Sequence, residues 1–335
     1  MKKQKLIDIY IIGLLVAAIS AIILRTYALI SDFDSLTMHF SNSMAASAAN
    51  IIVIIAALAF ATNLFMKKES VGLIAKTDNA ASFIPSGIVS TALLFMGVHL
   101  IKGMNSHSSP ILRPICIWAA VLAFLSVGSF FLSILIEQKN NNLKAAFSIL
   151  IVIFLALYSC YLYFNKEVHP TNSPNKVVDQ MAYLFSAAFF LYESRITIGR
   201  AKWRGYVAFG LMASLLCFYS AVPSLILYVL DGRLVSDSLV ESVLTIALGI
   251  FVTSKVFQTK RLTPDEECET ARSIAALAEM RQEEIEEMRK HARARDIDNM
   301  EEKDDDSADM ANYTFDIPYV ETRSEYASDE DQPLE

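Results

Sequence analysis

Residues 44–66 read MAASAANIIVIIAALAFATNLFM, twenty-three positions without a single charge. A helix needs about 20 apolar residues to cross a hydrocarbon layer of roughly 30 Å. No soluble core requires so long an uncharged run, and in hydrocarbon only a helix pairs all its own backbone groups. This stretch sets the reading of the rest of the chain.

Similar blocks recur on either side. The sequence predicts spans at about 6–30, 44–66, 83–102, 112–137, 144–164, 177–195, 204–230 and 236–257. The expected fold is therefore all-α: a polytopic bundle of about eight transmembrane helices over residues 1–261. The first block follows Lys2, Lys3 and Lys5, as a signal peptide would, but the many later spans favour an uncleaved signal-anchor. The third block opens at Asn79 with Pro85 and Gly87 near its entrance, so the segment from Val71 is expected to span, to re-enter or to lie in the interface. Pro223 should kink the seventh, because proline removes the hydrogen bond to the carbonyl of Tyr219.

Charge is divided unevenly. Of the 335 residues, 36 are Asp or Glu and 29 are Lys or Arg. Residues 262–335 hold 24 of the acids and 8 of the bases, a balance of −16, which leaves +9 on residues 1–261. With the N-terminus inside, the inner connections carry fifteen Lys or Arg and the outer ones six. This bias places both termini in the cytoplasm. The Lys, Ile and Asn usage suits a bacterial cell membrane. Beyond the bundle, Thr263-Pro264-Asp265-Glu266 is a helix start, and a cytoplasmic amphipathic helix is expected over 262–296. Residues 297–335 are expected to be a disordered acidic tail, which nucleic acid would repel. In that tail Tyr313, Phe315, Ile317 and Tyr319 concentrate apolar side chains, as a peptide that docks on a cytoplasmic protein partner through residues 263–335 would.

Ionisable side chains inside a bilayer cost about 2.5–3.5 kcal/mol each at a helix centre, so each needs a reason. On the sixth span Asp179, Tyr183, Ser186, Phe190 and Glu193 share one helical face, which should point into the bundle rather than at lipid. For Asp179 the simpler role is a cap or a wet contact. For Glu193 it is pairing with Arg195, Arg200 or Lys202. On the eighth span Ser238-Leu-Val-Glu241 is a capping box, and Asp237 and Glu241 lie a turn apart at the outer end. If spans six and eight adjoin, Asp179, Asp237 and Glu241 converge there.

Arg25 is expected to snorkel to the interface, and His99 to be a packing histidine. Asn50, Thr62 and Asn63 suit interhelical hydrogen bonds. Tyr158 to Phe164 reads as an interfacial aromatic belt. The four cysteines form no CxxC pair and read as small buried hydrophobes. There is no Walker loop, HExxH or GxSxG, and no residue set that implies a catalytic centre, a metal or a cofactor. The expected function is a membrane scaffold or sensor acting through its tail. The alternative is an ion-coupled permease for a small solute, and a lipid-modifying enzyme ranks behind both.

Overall fold

The computed structural model describes residues 2–34, 37, 39–41, 43–65, 79–104, 111–135, 141–165, 173–198, 203–233, 235, 238–260, 280, 283 and 285–290. The order is α1 (Lys2–Ser31), β1 (Phe33–Asp34), β2 (His39–Phe40), α2 (Met44–Phe65), α3 (Asn79–Gly103), α4 (Leu112–Leu135), α5 (Asn141–Phe164), α6 (Pro174–Thr197), α7 (Trp203–Asp231) and α8 (Leu239–Lys260).

Seven of these helices are long and apolar enough to cross a membrane. The chain is a helical, multi-pass membrane protein. Its surface says so independently: on α1, Ile9, Ile12, Val16, Ile19, Ile23, Tyr27 and Ile30 form an exposed apolar stripe. Water would penalise that face, whereas lipid does not. The helix outside the seven is α6, which carries Lys176, Asp179, Glu193 and Arg195.

Helices α3 to α8 form a closed ring, each packing on the next and α3 returning to α8, while the α1–α2 pair docks on α7. Close approach in the ring relies on missing side chains. A Cβ on Gly210 of α7 would lie 2.6 Å from Val256 of α8. Gly232, at φ +66°, ends α7, its N–H donating to the Tyr228 carbonyl at 2.9 Å. Ser43 and Ser238 accept backbone N–H bonds from Ala46 and Glu241 at 3.1 Å, capping α2 and α8.

Several expectations change. α3 is continuous from Asn79 through Pro85, so the helix has no break at the proline; residues 66–78, with the start of the segment expected to span, re-enter or lie in the interface, are outside the described residues. α6 begins at Pro174 rather than 177, because proline suits the first helical position after Ser173. Tyr158 and Tyr161 are buried, and only Tyr163 and Phe164 are exposed as a belt requires. Cys116 and Cys217 are buried but Cys160 is exposed.

The chain divides into two compact units, Met1–Met280 and Arg281–Glu335. In the second, residues 285–290 are helical and Ile285 and Met288 are exposed. Most of the expected 262–296 helix lies outside the described residues. So do Asp237 and the segment with Tyr313, Phe315, Ile317 and Tyr319.

Candidate functional site

The site assembles where the C-terminal ends of α1, α5 and α7 meet the N-terminal ends of α2, α6 and α8. Four ionisable side chains are buried there: Arg25 is 4% exposed, Lys176 3%, Asp179 8% and Glu241 1%. A buried charge must be paired or hydrogen-bonded, and the helices supply the partners. Arg25 Nη2 donates to Asn175 Oδ1 at 2.5 Å, and its guanidinium lies 4.3 Å from the centre of the Tyr219 ring. The Tyr219 hydroxyl donates to Asn50 Oδ1 at 2.7 Å. One turn along α6, Asp179 accepts from the Ser220 hydroxyl, and Lys176 donates to the Asn165 carbonyl.

One turn deeper, the Tyr183 hydroxyl lies 2.7 Å from that of Thr245, which in turn donates to the Glu241 carbonyl at 2.9 Å. The carboxylates of Asp179 and Glu241 both lie close enough to act electrostatically on the Tyr183 phenol. Spans six and eight thus adjoin at this level. Ser186 donates to the Ala182 carbonyl at 2.7 Å and faces the Cys217 sulfur at 3.5 Å.

The opposite end is built differently. Phe130, Phe190 and Phe251 pack together with ring centres 5.0–5.9 Å apart. Beyond them Glu193 Oε1 meets Lys255 Nζ at 3.5 Å, both about a fifth exposed, and Lys255 also sits over the Phe251 ring. The α6 polar face is therefore filled by neighbouring side chains through its middle: Tyr183 and Ser186 are fully enclosed and Phe190 nearly so.

Several single-residue expectations are corrected. Arg25 does not snorkel, because Asn175 and Tyr219 hold it inside. Asp179 is not a cap: Ser173 occupies that position, and Asp179 sits within the helix. Glu193 pairs with Lys255, while the Arg195 guanidinium lies over the Tyr192 ring; Arg200 and Lys202 lie outside the described residues. His99 is exposed on α3 rather than packed inside. Asn50 and Thr62 do bond between helices, Thr62 lying 3.3 Å from the Tyr10 hydroxyl. The side chain of Asn63 lies outside the described set.

Sequence reading missed Asn175, Lys176, Tyr219 and Ser220. Ser173-Pro174 was an available signal, since it moves the helix start upstream and puts Asn175 and Lys176 on the first turn with Asp179. Among the described residues no three His, Cys, Asp or Glu side chains group as metal ligands. No family model, curated protein or solved structure matches the chain.

Proposed function

We propose that this protein is an ion-coupled secondary transporter for a small solute, with solute and coupling-ion sites at the Arg25 end. The observation that carries this reading is the burial of two cations and two carboxylates among membrane-spanning helices. At about 2.5–3.5 kcal/mol each on insertion scales, a bundle serving only as an anchor has no reason to hold them. Asp179 and Glu241 are the groups that take up a proton or metal cation. Tyr183 and Thr245 bridge α6 to α8 and report the charge of one helix to the other. Pro223, one turn from Tyr219, gives α7 a hinge whose movement opens the site. The phenylalanine layer and the Glu193–Lys255 pair close the far side.

In this reading α6 is the eighth span. Its exposed face, Val177, Met181, Leu184 and Leu191, is apolar, while its polar face is buried. That inversion suits lipid outside and protein inside. The excess of Lys and Arg in alternate connections then puts both termini in the cytoplasm of a bacterial cell, and the Arg25 end outside.

The test is gradient-driven uptake in proteoliposomes holding the full chain. Wild type should move charge or protons with solute, and Asp179→Asn and Glu241→Gln should abolish coupling. Uptake of every tested solute unchanged in both variants would remove the reading. A second reading, a scaffold recruiting a cytoplasmic protein, draws on the acidic tail with Tyr313 to Tyr319. Removing residues 262–335 separates the two, since a transporter keeps its flux and a scaffold loses its function.

A further inference from the structure

Arg25 stands apart from the other buried charges. The described residues give it no carboxylate at ion-pair distance; its partners are a neutral carboxamide and an aromatic face. Its Nε is buried with no hydrogen-bond acceptor, and so is the Nδ2 of Asn175. These two idle donors flank one hydrogen bond, that from Arg25 to Asn175 Oδ1. A buried cation without a counter-charge and two buried donors without acceptors are costly together. Asp179 and Glu241 are buried in the same region, but among the described residues neither makes an ion pair with Arg25, so the guanidinium itself lacks an anion.

The geometry of the two donors narrows the chemistry. Tyr219 covers one face of the guanidinium and Asn175 Oδ1 takes a hydrogen of Nη2, which leaves the Nε–H on the in-plane edge, beside the idle Asn175 Nδ2, for a ligand. A planar group with two acceptor oxygens and a single negative charge matches that edge, as carboxylates match arginine elsewhere. A phosphate dianion would bring a second charge that Arg25 alone does not balance. Chloride would leave one donor idle.

A surface groove lies close by. It has a volume of about 620 Å³ and lies between the β1–β2 hairpin and the start of α2, lined in part by His39, Ser43, Ser47, Asn50 and Pro174. That volume is in the range of small-molecule sites, roughly 300–1,000 Å³. Asn50 is bonded to the Tyr219 hydroxyl, and Pro174 precedes Asn175, so the groove abuts the residues that hold Arg25. We propose that Arg25 and Asn175 bind the carboxylate of a small water-soluble solute entering from this groove. The proposal rests on the transport reading in taking the Arg25 end as the solute site. Binding, however, is measurable without transport.

The experiment uses the purified full chain in detergent, with thermal unfolding read against acetate, lactate and pyruvate and with phosphate and chloride as controls. The expected result is a saturable rise of several degrees with at least one carboxylate, as ligand linkage requires. The rise should be absent in Arg25→Gln and weakened about tenfold in affinity in Arg25→Lys, which keeps charge but not the planar fork. Should Arg25→Gln fail to fold, Asn175→Asp decides. It sets a carboxylate against the guanidinium, so it should unfold at a higher temperature than wild type without ligand and no longer respond to carboxylates. No carboxylate response in wild type, or an undiminished one in Asn175→Asp, overturns the proposal. Stabilisation by phosphate instead, or only by phosphatidylglycerol in nanodiscs, also overturns it by assigning Arg25 to a phosphate from solution or lipid. Carboxylate binding without gradient-driven flux would remove the transport reading alone. Flux without carboxylate binding would remove this one alone.

Discussion

Asp179 and Glu193 lie on the same face of the same helix, fourteen residues or about 21 Å apart, yet they occupy different worlds. Asp179 is buried, accepts from a serine hydroxyl of α7 and shares its surroundings with Glu241 and Tyr183. Glu193 is partly wet and faces one lysine at 3.5 Å. The region around Asp179 is knitted by polar contacts among α1, α2, α6, α7 and α8 and the residue that follows α5. The region above Glu193 is knitted by phenylalanine rings and by a glycine that lets α7 and α8 touch. Helical periodicity assigns a residue to a face, but depth and neighbours decide what its charge is for.

The sharpest break of that comparison is a pair of neutralising substitutions. Asp179→Asn leaves an oxygen for Ser220 but removes the charge, and gradient-driven flux in proteoliposomes should fall by on the order of a hundredfold. Glu193→Gln should leave it within about twofold, since a partly exposed pair contributes only about 0.2–1 kcal/mol. Equal losses in both would erase the distinction between the two ends.

Steric fit near the Glu193 end gives the next largest effect. Gly210→Ala places a methyl 2.6 Å from Val256 and 3.1 Å from the Phe189 ring. Overpacking of this kind costs about 1–3 kcal/mol, visible as a lowered unfolding temperature in detergent. Gly13→Ala, with nothing within 4 Å of the new methyl, should not destabilise the chain and serves as control.

Smaller again is Tyr183→Phe. It keeps the ring packed at 5.1 Å from that of Tyr158 but deletes the hydroxyl that meets Thr245. Interhelical bonds in membranes average about 0.6 kcal/mol, so stability should barely move. The ion dependence of flux should shift, because this hydroxyl is the bridge between α6 and α8. The smallest effect is salt: raising ionic strength to about 1 M, where the screening length is about 3 Å, should weaken the Glu193–Lys255 contact, measured by a spin-label distance between α6 and α8 at that end. The Asp179 end should not respond.

Much of the bundle was legible because hydrocarbon thickness writes itself into sequence as long uncharged runs. The inward face of α6 was legible for a similar reason: Asp179, Tyr183, Ser186 and Phe190 repeat with the helical period. What joins that face to the rest was not. Arg25 and Asn175 are 150 positions apart, and Asn50 and Tyr219 169; their meeting depends on which helices adjoin, and no local period encodes that. Arg25 in particular sits near a helix end, where snorkelling and burial look identical until α6 and α7 are placed beside it.

That separation has a consequence for how the protein is made. Arg25 enters the membrane 150 residues before its partner Asn175 exists. At about 5–20 residues per second of synthesis, the guanidinium waits roughly 8–30 s. In the finished chain Asn175 of α6 and Tyr219 of α7 enclose Arg25, so its charge cannot be buried in this way until both of those helices are in place.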